Sequence, residues 1–190
     1  MIIGLTGFSC SGKDTIAEYI SKKYGYIHCS LSNIIREMMR KAGVELAREN
    51  FIVFGTILRE KNGNGVLAKK ILEKIDLNGK CCVTSIRHTD EVKELRSRKD
   101  FVLVNIDSPQ LLRFKRMQNR KRLGDPDNWE RFVELEDKES QIEGSGQQLK
   151  RTADLADINF VNDSNGIMAL EVAVDRLLVS IKSIKNELDI

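Results

Sequence analysis

The stretch that decides the fold is Ile2-Ile3-Gly4-Leu5-Thr6-Gly7-Phe8-Ser9-Cys10-Ser11-Gly12-Lys13-Asp14-Thr15. Residues 2 to 6 form an apolar run without alternation, the pattern of a strand buried on both faces of a parallel sheet. From Lys13 to Tyr24 the apolar positions Ile16, Ala17, Tyr19 and Ile20 recur at helical spacing, and Gly25 is placed to stop the helix. Between them, Gly7 to Lys13 fits G-x-x-x-x-G-K, the Walker A pattern. That chemistry asks for glycines that let successive backbone N–H groups turn toward a phosphate, a helix N-terminus with partial positive charge, and a lysine reaching the outer phosphoryl oxygens. The three fixed letters alone arise by chance in roughly one chain in twenty of this length, so the strand-loop-helix placement decides the reading. Gly7, Phe8, Ser9, Cys10, Ser11, Gly12, Lys13, Asp14 and Thr15 are expected to bind the phosphates of ATP together with Mg²⁺.

Asp14 stands where the pattern asks for Ser or Thr. A carboxylate is a good Mg²⁺ ligand but repels phosphate when the metal is absent. Asp14 is therefore read as the metal ligand, direct or through water; the alternative is an acid that serves the dipole of the helix N-terminus.

Outward from the loop, strand-plus-helix steps repeat. Tyr26–Leu31 reads as a second strand, leading to Ser32 as N-cap of a helix that stops at Gly43. Residues 44–76 read as helical pieces broken at Asn62-Gly63-Asn64-Gly65. A third strand is expected at 81–86, a charged helix at 89–98, a fourth strand at 101–106 followed by Ser108 as a cap, and a fifth at 158–161 before a last amphipathic helix. Five such units predict a three-layer α/β fold with a parallel sheet. The polar helical stretches 32–76 and 108–153 both leave the carboxyl edge of that sheet, where ligands bind.

The 190 residues read as one domain, 1–190. With 41% apolar and 31% charged residues and only two prolines, the chain is too apolar and varied to be disordered. Thirty-one Lys and Arg against 28 Asp and Glu leave a net charge of +3, and basic residues are not interleaved with aromatics, so nucleic acid is not the expected partner. Cys10, Cys29, Cys81 and Cys82 lack C-x-x-C spacing, which argues against a zinc site or disulfide framework. The first residues lack the basic start and apolar core of a signal peptide, and no run of about 18 apolar residues occurs. A cytoplasmic protein with no membrane partner is expected, monomer or homodimer being left open.

Taken in order, residues 2–20, SLSNIIREMMRKAG (30–43), GTILREKNGNGVLAKKI (55–71), SIRHTDEVKELR (85–96), 101–132 and ADLADINFVND (153–163) resemble the archaeal P-loop nucleotide-kinase-like proteins related to adenylate and dephospho-CoA kinases. The likeness spans nearly the whole chain, and the phosphate loop is its only motif specific by itself. It implies the P-loop NTPase fold, with the five strands in the order 2-3-1-4-5. It implies an acceptor-binding segment at 32–76, with Arg36, Arg59 and Arg87 gripping an acceptor phosphate and Ser32 standing where that family has an acid. Three guanidinium forks suit a dianionic phosphate, although Arg59, followed by Glu60 and Lys61, also fits a solvated helix face. The resemblance further implies a lid at 113–151 whose Arg116, Arg120 and Arg122 close over the triphosphate. Residues 113, 116 and 120 share one helix face, and a solvated basic face is the alternative. Asn162 would contact the adenine or cap the last helix. The acid expected at the end of the third strand is missing, since Thr84 holds its place.

These readings converge on ATP- and Mg²⁺-dependent transfer of a phosphoryl group to a small phosphorylated acceptor, foremost a nucleoside or deoxynucleoside monophosphate. Lys13, Arg87, Arg116 and Arg120 are the expected catalytic residues. Dephospho-CoA is the alternative acceptor, and a P-loop ATP-binding switch or weak ATPase without an acceptor is the alternative class.

Overall fold

The sheet consists of β1 (Ile2–Thr6), β2 (Ile27–Ser30), β3 (Cys81–Thr84), β4 (Phe101–Asp107) and β5 (Ile158–Val161), all parallel, in the order β2-β3-β1-β4-β5. This is the order expected from the sequence, in a three-layer α/β architecture of the P-loop NTPase-like kind. The computed structural model describes every residue except 76–78, 123, 142–145, 165 and 189–190. Residue 76, the expected end of the acceptor-binding segment, and residues 123 and 142–145 of the expected lid therefore lie outside the described residues.

β1 occupies the centre and is buried along its whole length. Its alternating side chains feed two cores. Ile2 joins Val83, Phe101 and Leu103 under α2 (Leu31–Lys41), α3 (Arg48–Asn62), α4 (Val66–Leu72) and α5 (Thr89–Leu95). Ile3 and Leu5 join Val102, Val104 and Ile106 under α1 (Lys13–Tyr24) and α9 (Ile167–Leu188). A third, smaller cluster of Phe114, Met117 and Phe132 joins α6 (Gln110–Arg120) to α7 (Trp129–Gln141). α8 (Leu149–Ala153) leads into β5.

Several boundaries differ from those read in the sequence. α2 begins at Leu31, with Ser30 as its N-cap and Ser32 inside the first turn. Ser108 does not cap α6; it is buried beneath that helix, and its hydroxyl accepts a hydrogen bond from Arg116 Nη1 at 3.0 Å. β3 stops at Thr84 because Ser85 takes φ 64°. α5 is capped by His88, whose Nδ1 accepts from the Asp90 N–H at 3.0 Å, and the Glu91 side chain closes the reciprocal half of a capping box.

Glu91 ties the α2-side layer together. It is fully buried; Oε1 accepts Arg59 Nη2 at 2.8 Å and Nε at 3.2 Å, while Oε2 accepts the backbone N–H groups of Arg87 at 2.8 Å and His88 at 3.1 Å. Arg59, only 3% exposed, is therefore no solvated helix face. Deleting one partner of such a pair leaves a buried charge uncompensated. Arg59→Met is expected to destabilise the chain by about 3–5 kcal/mol, read as a lower denaturant midpoint; an unchanged midpoint would show that water replaces the guanidinium without loss.

Candidate functional site

The loop from Gly7 to Lys13 leaves β1 and enters α1 through two glycines that no other residue could replace without strain. Gly7 has φ 126°, and a Cβ there would stand 2.1 Å from the Ile106 carbonyl oxygen; Gly12 has φ 103°, and its Cβ would stand 2.3 Å from Asn162 Nδ2. The loop carbonyls are held from behind. Lys13 Nζ donates to Phe8 O at 2.5 Å and Ser11 Oγ at 3.2 Å, and Asn162 Nδ2 donates to Ser11 O at 2.8 Å. Arg116 Nη1 lies 3.4 Å from Cys10 O and 3.5 Å from Ser11 O, and its Nη2 lies 3.4 Å from Asn162 O and Oδ1. The Phe8 ring sits under the Arg113 guanidinium at 4.7 Å, and Cys10 packs on the Phe114, Met117 and Phe132 cluster.

Two cavities flank this loop. The one on the α9 side, about 470 Å³, is bounded by Thr15, Arg116, Asn162, Ile167 and Leu170. The one on the α2 side, about 610 Å³, carries an apolar wall that includes Leu31, Ile35, Phe51 and Leu67 and polar groups that include Ser32, Ser85 and Arg87. Both are lined by Cys10, Lys13, Asp14, Arg120 and Arg122, so they meet at the phosphate loop.

The arginines expected to act together have separate partners. Arg36 lies over the Phe51 ring at 5.3 Å and donates to Asn33 Oδ1. Arg59 is paired with Glu91, and Arg87 Nη1 donates to Glu139 Oε2 at 3.2 Å and Gln147 Oε1 at 2.6 Å. On α6, Arg113 is buried in an ion pair with Glu136 at 2.6 Å, Arg116 turns to the loop carbonyls, and Arg120 forms a two-bond pair with Asp125 at 2.7 and 2.9 Å. Ser32 Oγ lies 2.9 Å from Ser30 Oγ and 3.3 Å from Ser85 Oγ, a hydroxyl cluster at the ends of β2 and β3. Trp129 packs on Phe114 and Phe132, with ring centroids 5.4 and 5.6 Å away.

Sequence reading missed Ser85, Glu91, Asp125, Glu139 and Gln147. A signal for Glu139 existed: Phe132, Leu135, Glu136 and Glu139 fall at i, i+3, i+4 and i+7 of α7, so two acids stand on its apolar stripe and require buried cations. Among the described residues no group of three or more His, Cys, Asp or Glu is placed to hold a metal ion. Mg²⁺ bound through one carboxylate plus substrate phosphates needs no such group, and Asp14, exposed in the first turn of α1 on the rim of both cavities, fits that role. No helix among the described residues is long and apolar enough to cross a membrane.

Burial, and then the charge of Arg87, push the Lys13 ammonium down from 10.5 to about 7, against the opposing pull of Asp14, Cys10 and Glu139. A bound phosphate favours the charged form, so binding takes up a proton above pH 7. Affinity for ATP is expected to be highest below pH 7 and to weaken as pH rises toward 9, by up to about tenfold per unit. Calorimetric titration in buffers of different ionisation enthalpy reads both effects. Lys13→Met, which retains only the ionisation of ATP itself, is expected to lose the proton uptake; equal uptake in both would remove Lys13 from the site.

The family model described as AAA domain matches residues 6–133. The UPF0200 protein of Methanocaldococcus jannaschii is 36% identical over 169 residues, covering 87% of this chain and 83% of that protein. The UPF0200 protein of Thermococcus onnurineus is 33% identical over 170 residues, covering 86% and 89%. Among solved structures, shikimate kinase from Bacteroides thetaiotaomicron superposes with a TM-score of 0.64 at 18% identity over 96% of this chain and 98% of that one. A gluconokinase from Sinorhizobium meliloti does so with a TM-score of 0.57 at 13% identity, over 98% and 94%. At such identities the likeness is one of fold, and it is to small-molecule kinases at large rather than to adenylate and dephospho-CoA kinases in particular. With both cavities meeting at a G-x-x-x-x-G-K loop and these relatives matched over most of their length, the chain belongs to the UPF0200 family, an archaeal P-loop-NTPase-like family with the fold of small-molecule kinases.

Proposed function

We propose that the chain transfers the γ-phosphoryl group of ATP, with Mg²⁺, to a small acceptor held in the α2-side cavity. The observation that carries this reading is the meeting of the two cavities at Lys13, Asp14, Arg120 and Arg122. A donor in one cavity and an acceptor in the other would face each other across the cations that neutralise the transferring group, and phosphoryl transfer asks mainly for positioning and charge neutralisation. The triphosphate lies along the loop N–H groups and the start of α1, with the base toward Asn162, Ile167 and Leu170. Mg²⁺ on Asp14 would neutralise phosphate charge. Residues 32–76 then serve as the acceptor-binding segment and 113–151 as the lid. The shikimate kinases and the gluconokinase that share the fold are small-molecule kinases by name.

For the acceptor, Arg36 and Arg87 support a phosphorylated molecule such as a nucleoside or deoxynucleoside monophosphate, or dephospho-CoA. The ion pairs that already engage Arg59 and Arg87, together with Thr84 at the end of β3, favour the second reading of an ATP-binding switch without an acceptor. ADP release from ATP·Mg²⁺ separates the two. A phosphotransferase is expected to show at least about tenfold stimulation by one member of an acceptor panel, whereas one unchanging rate with every member would favour the switch. In the same assay Asp14→Asn is expected to raise the Mg²⁺ concentration for half-maximal turnover by roughly tenfold; an unchanged requirement would leave Asp14 serving only the helix dipole.

A further inference from the structure

We infer that an oxyanion carried by the acceptor binds between Arg36 and Arg122, and that this shared anion draws the acceptor-binding segment and the lid together over the α2-side cavity. Such a clamp rests on the phosphotransferase reading and adds to it the charged group of the acceptor and the control of closure. Arg36 stands on α2 and Arg122 just past the end of α6, and both line the cavity beside Asp14. Arg36 lies on the Phe51 ring at 5.3 Å and donates to Asn33 Oδ1, while Asp125 Oδ2 accepts the backbone N–H of Arg122 at 3.3 Å. Among the described residues neither guanidinium is held by a carboxylate. The other arginines that line this cavity are each matched, Arg59 by Glu91, Arg87 by Glu139 and Arg120 by Asp125.

Burial, and then the charges of Arg122 and of Arg40 one helical turn further on, lower the Arg36 pKa, against the pull of Asp14. The charge of Arg122 is thus felt at Arg36. Two like charges on facing segments repel, and an oxyanion between them converts that repulsion into charge-assisted hydrogen bonds on both sides. Each guanidinium presents a planar fork of N–H groups that matches two oxygens, so a phosphate monoester or a carboxylate fits where a neutral hydroxyl would leave the charges unmatched. Arg36 is half-buried against Phe51, whereas Arg122 is exposed. One arm of the clamp is an anchor and the other is free to reach.

The two arginines ride on separately packed bodies. α2, α3 and α4 bury Met39, Leu58 and Leu67 in the cluster around Val83, and α6 and α7 bury Phe114, Met117 and Phe132 in another. At the rim the two bodies meet through opposite charges, since Arg131 of α7 donates to Glu49 of α3 at 2.5 Å. Glu49 is 69% exposed and Arg131 39%, and an ion pair so open to water adds little stability. An anion between Arg36 and Arg122 therefore supplies the stronger tie across the cavity and makes closure depend on the acceptor. Water is then shut out from the transferring group when an acceptor is there to receive it, which limits idle hydrolysis of ATP.

The test saturates the full chain with Mg²⁺ and a non-hydrolysable ATP analogue, which fills the phosphate loop, and adds compounds in matched sets: nucleoside monophosphates against nucleosides, and gluconate and shikimate against glycerol. Calorimetry reads affinity and hydrogen exchange reads closure. An anionic member is expected to bind at least about tenfold more tightly than its neutral counterpart and to slow exchange in α2 and α6 together; the set that responds tells a phosphate monoester from a carboxylate. Arg36→Gln and Arg122→Gln are each expected to weaken that binding about tenfold or more, with a smaller effect on the ATP analogue, and the double variant to lose less than the product of the two because both grip one anion. Equal binding of the neutral counterparts, slowed exchange in α2 alone, or an Arg122→Gln variant that loses the ATP analogue rather than the acceptor would overturn the inference. ADP release from ATP·Mg²⁺ stimulated by a neutral compound would overturn it too, and leave the phosphotransferase standing. An anion that binds and closes the chain through both arginines without being phosphorylated would leave the clamp standing and remove the phosphotransferase reading.

Discussion

A loop built to offer its backbone N–H groups to a phosphate must have its carbonyls held elsewhere, and Lys13 at the loop's end and two side chains from distant parts of the sequence do this here. Lys13 donates to Phe8 O, Asn162 donates to Ser11 O, and Arg116 lies against the carbonyls of Cys10 and Ser11. Much of the architecture serves these contacts. Asn162 follows β5, and its N–H donates to Asp107 O at the end of β4 at 2.8 Å, so the edge of the sheet places the carboxamide. Arg116 projects from α6, whose position is set by the buried Arg113–Glu136 pair and the aromatic cluster beneath. Gly12 has no Cβ because Asn162 occupies that place. The loop is thus held in place before the proposed phosphate arrives, and preorganised groups of this kind are where electrostatic catalysis draws its strength.

A second theme is the buried carboxylate that holds an arginine. Glu91, Glu136 and Glu139 are each at most 2% exposed, and they pair with Arg59, Arg113 and Arg87 respectively. Each pair joins two parts of the fold: α3 to α5, α6 to α7, and the β3–α5 connection to α7. A net charge of +3 over the chain therefore understates how strongly charge is organised around the two cavities.

Much of this was legible in the sequence because the signals were local. The unbroken apolar run of β1, the glycine loop and the spacing of Ile16, Ala17 and Ile20 marked the strand, loop and helix, and the repeat of that step predicted the parallel sheet, whose order followed from the family resemblance. The arginine partners were not legible, since Arg59 and Glu91 stand 32 residues apart and Arg87 and Glu139 stand 52 apart. A guanidinium reads the same in sequence whether it awaits a phosphate or already holds a carboxylate. Arg113, Arg116 and Arg120 were read as one face, yet each meets a different partner because small rotations around α6 separate buried, loop-facing and cavity-facing positions. Ser108 and Ser32 were misread as caps because a serine before a helix is a frequent cap, and here packing beneath the helix and hydroxyl clustering decided their roles.

The most direct measurement of the central claim is a structure of the chain with Mg²⁺ and a non-hydrolysable ATP analogue. The base is expected in the 470 Å³ cavity beside Asn162 and Ile167, the triphosphate along the loop, and the terminal phosphate past Lys13 at the mouth of the 610 Å³ cavity. A nucleotide seated with its base among Leu31, Ile35 and Phe51, or one that leaves the loop N–H groups without phosphate contacts, would contradict it.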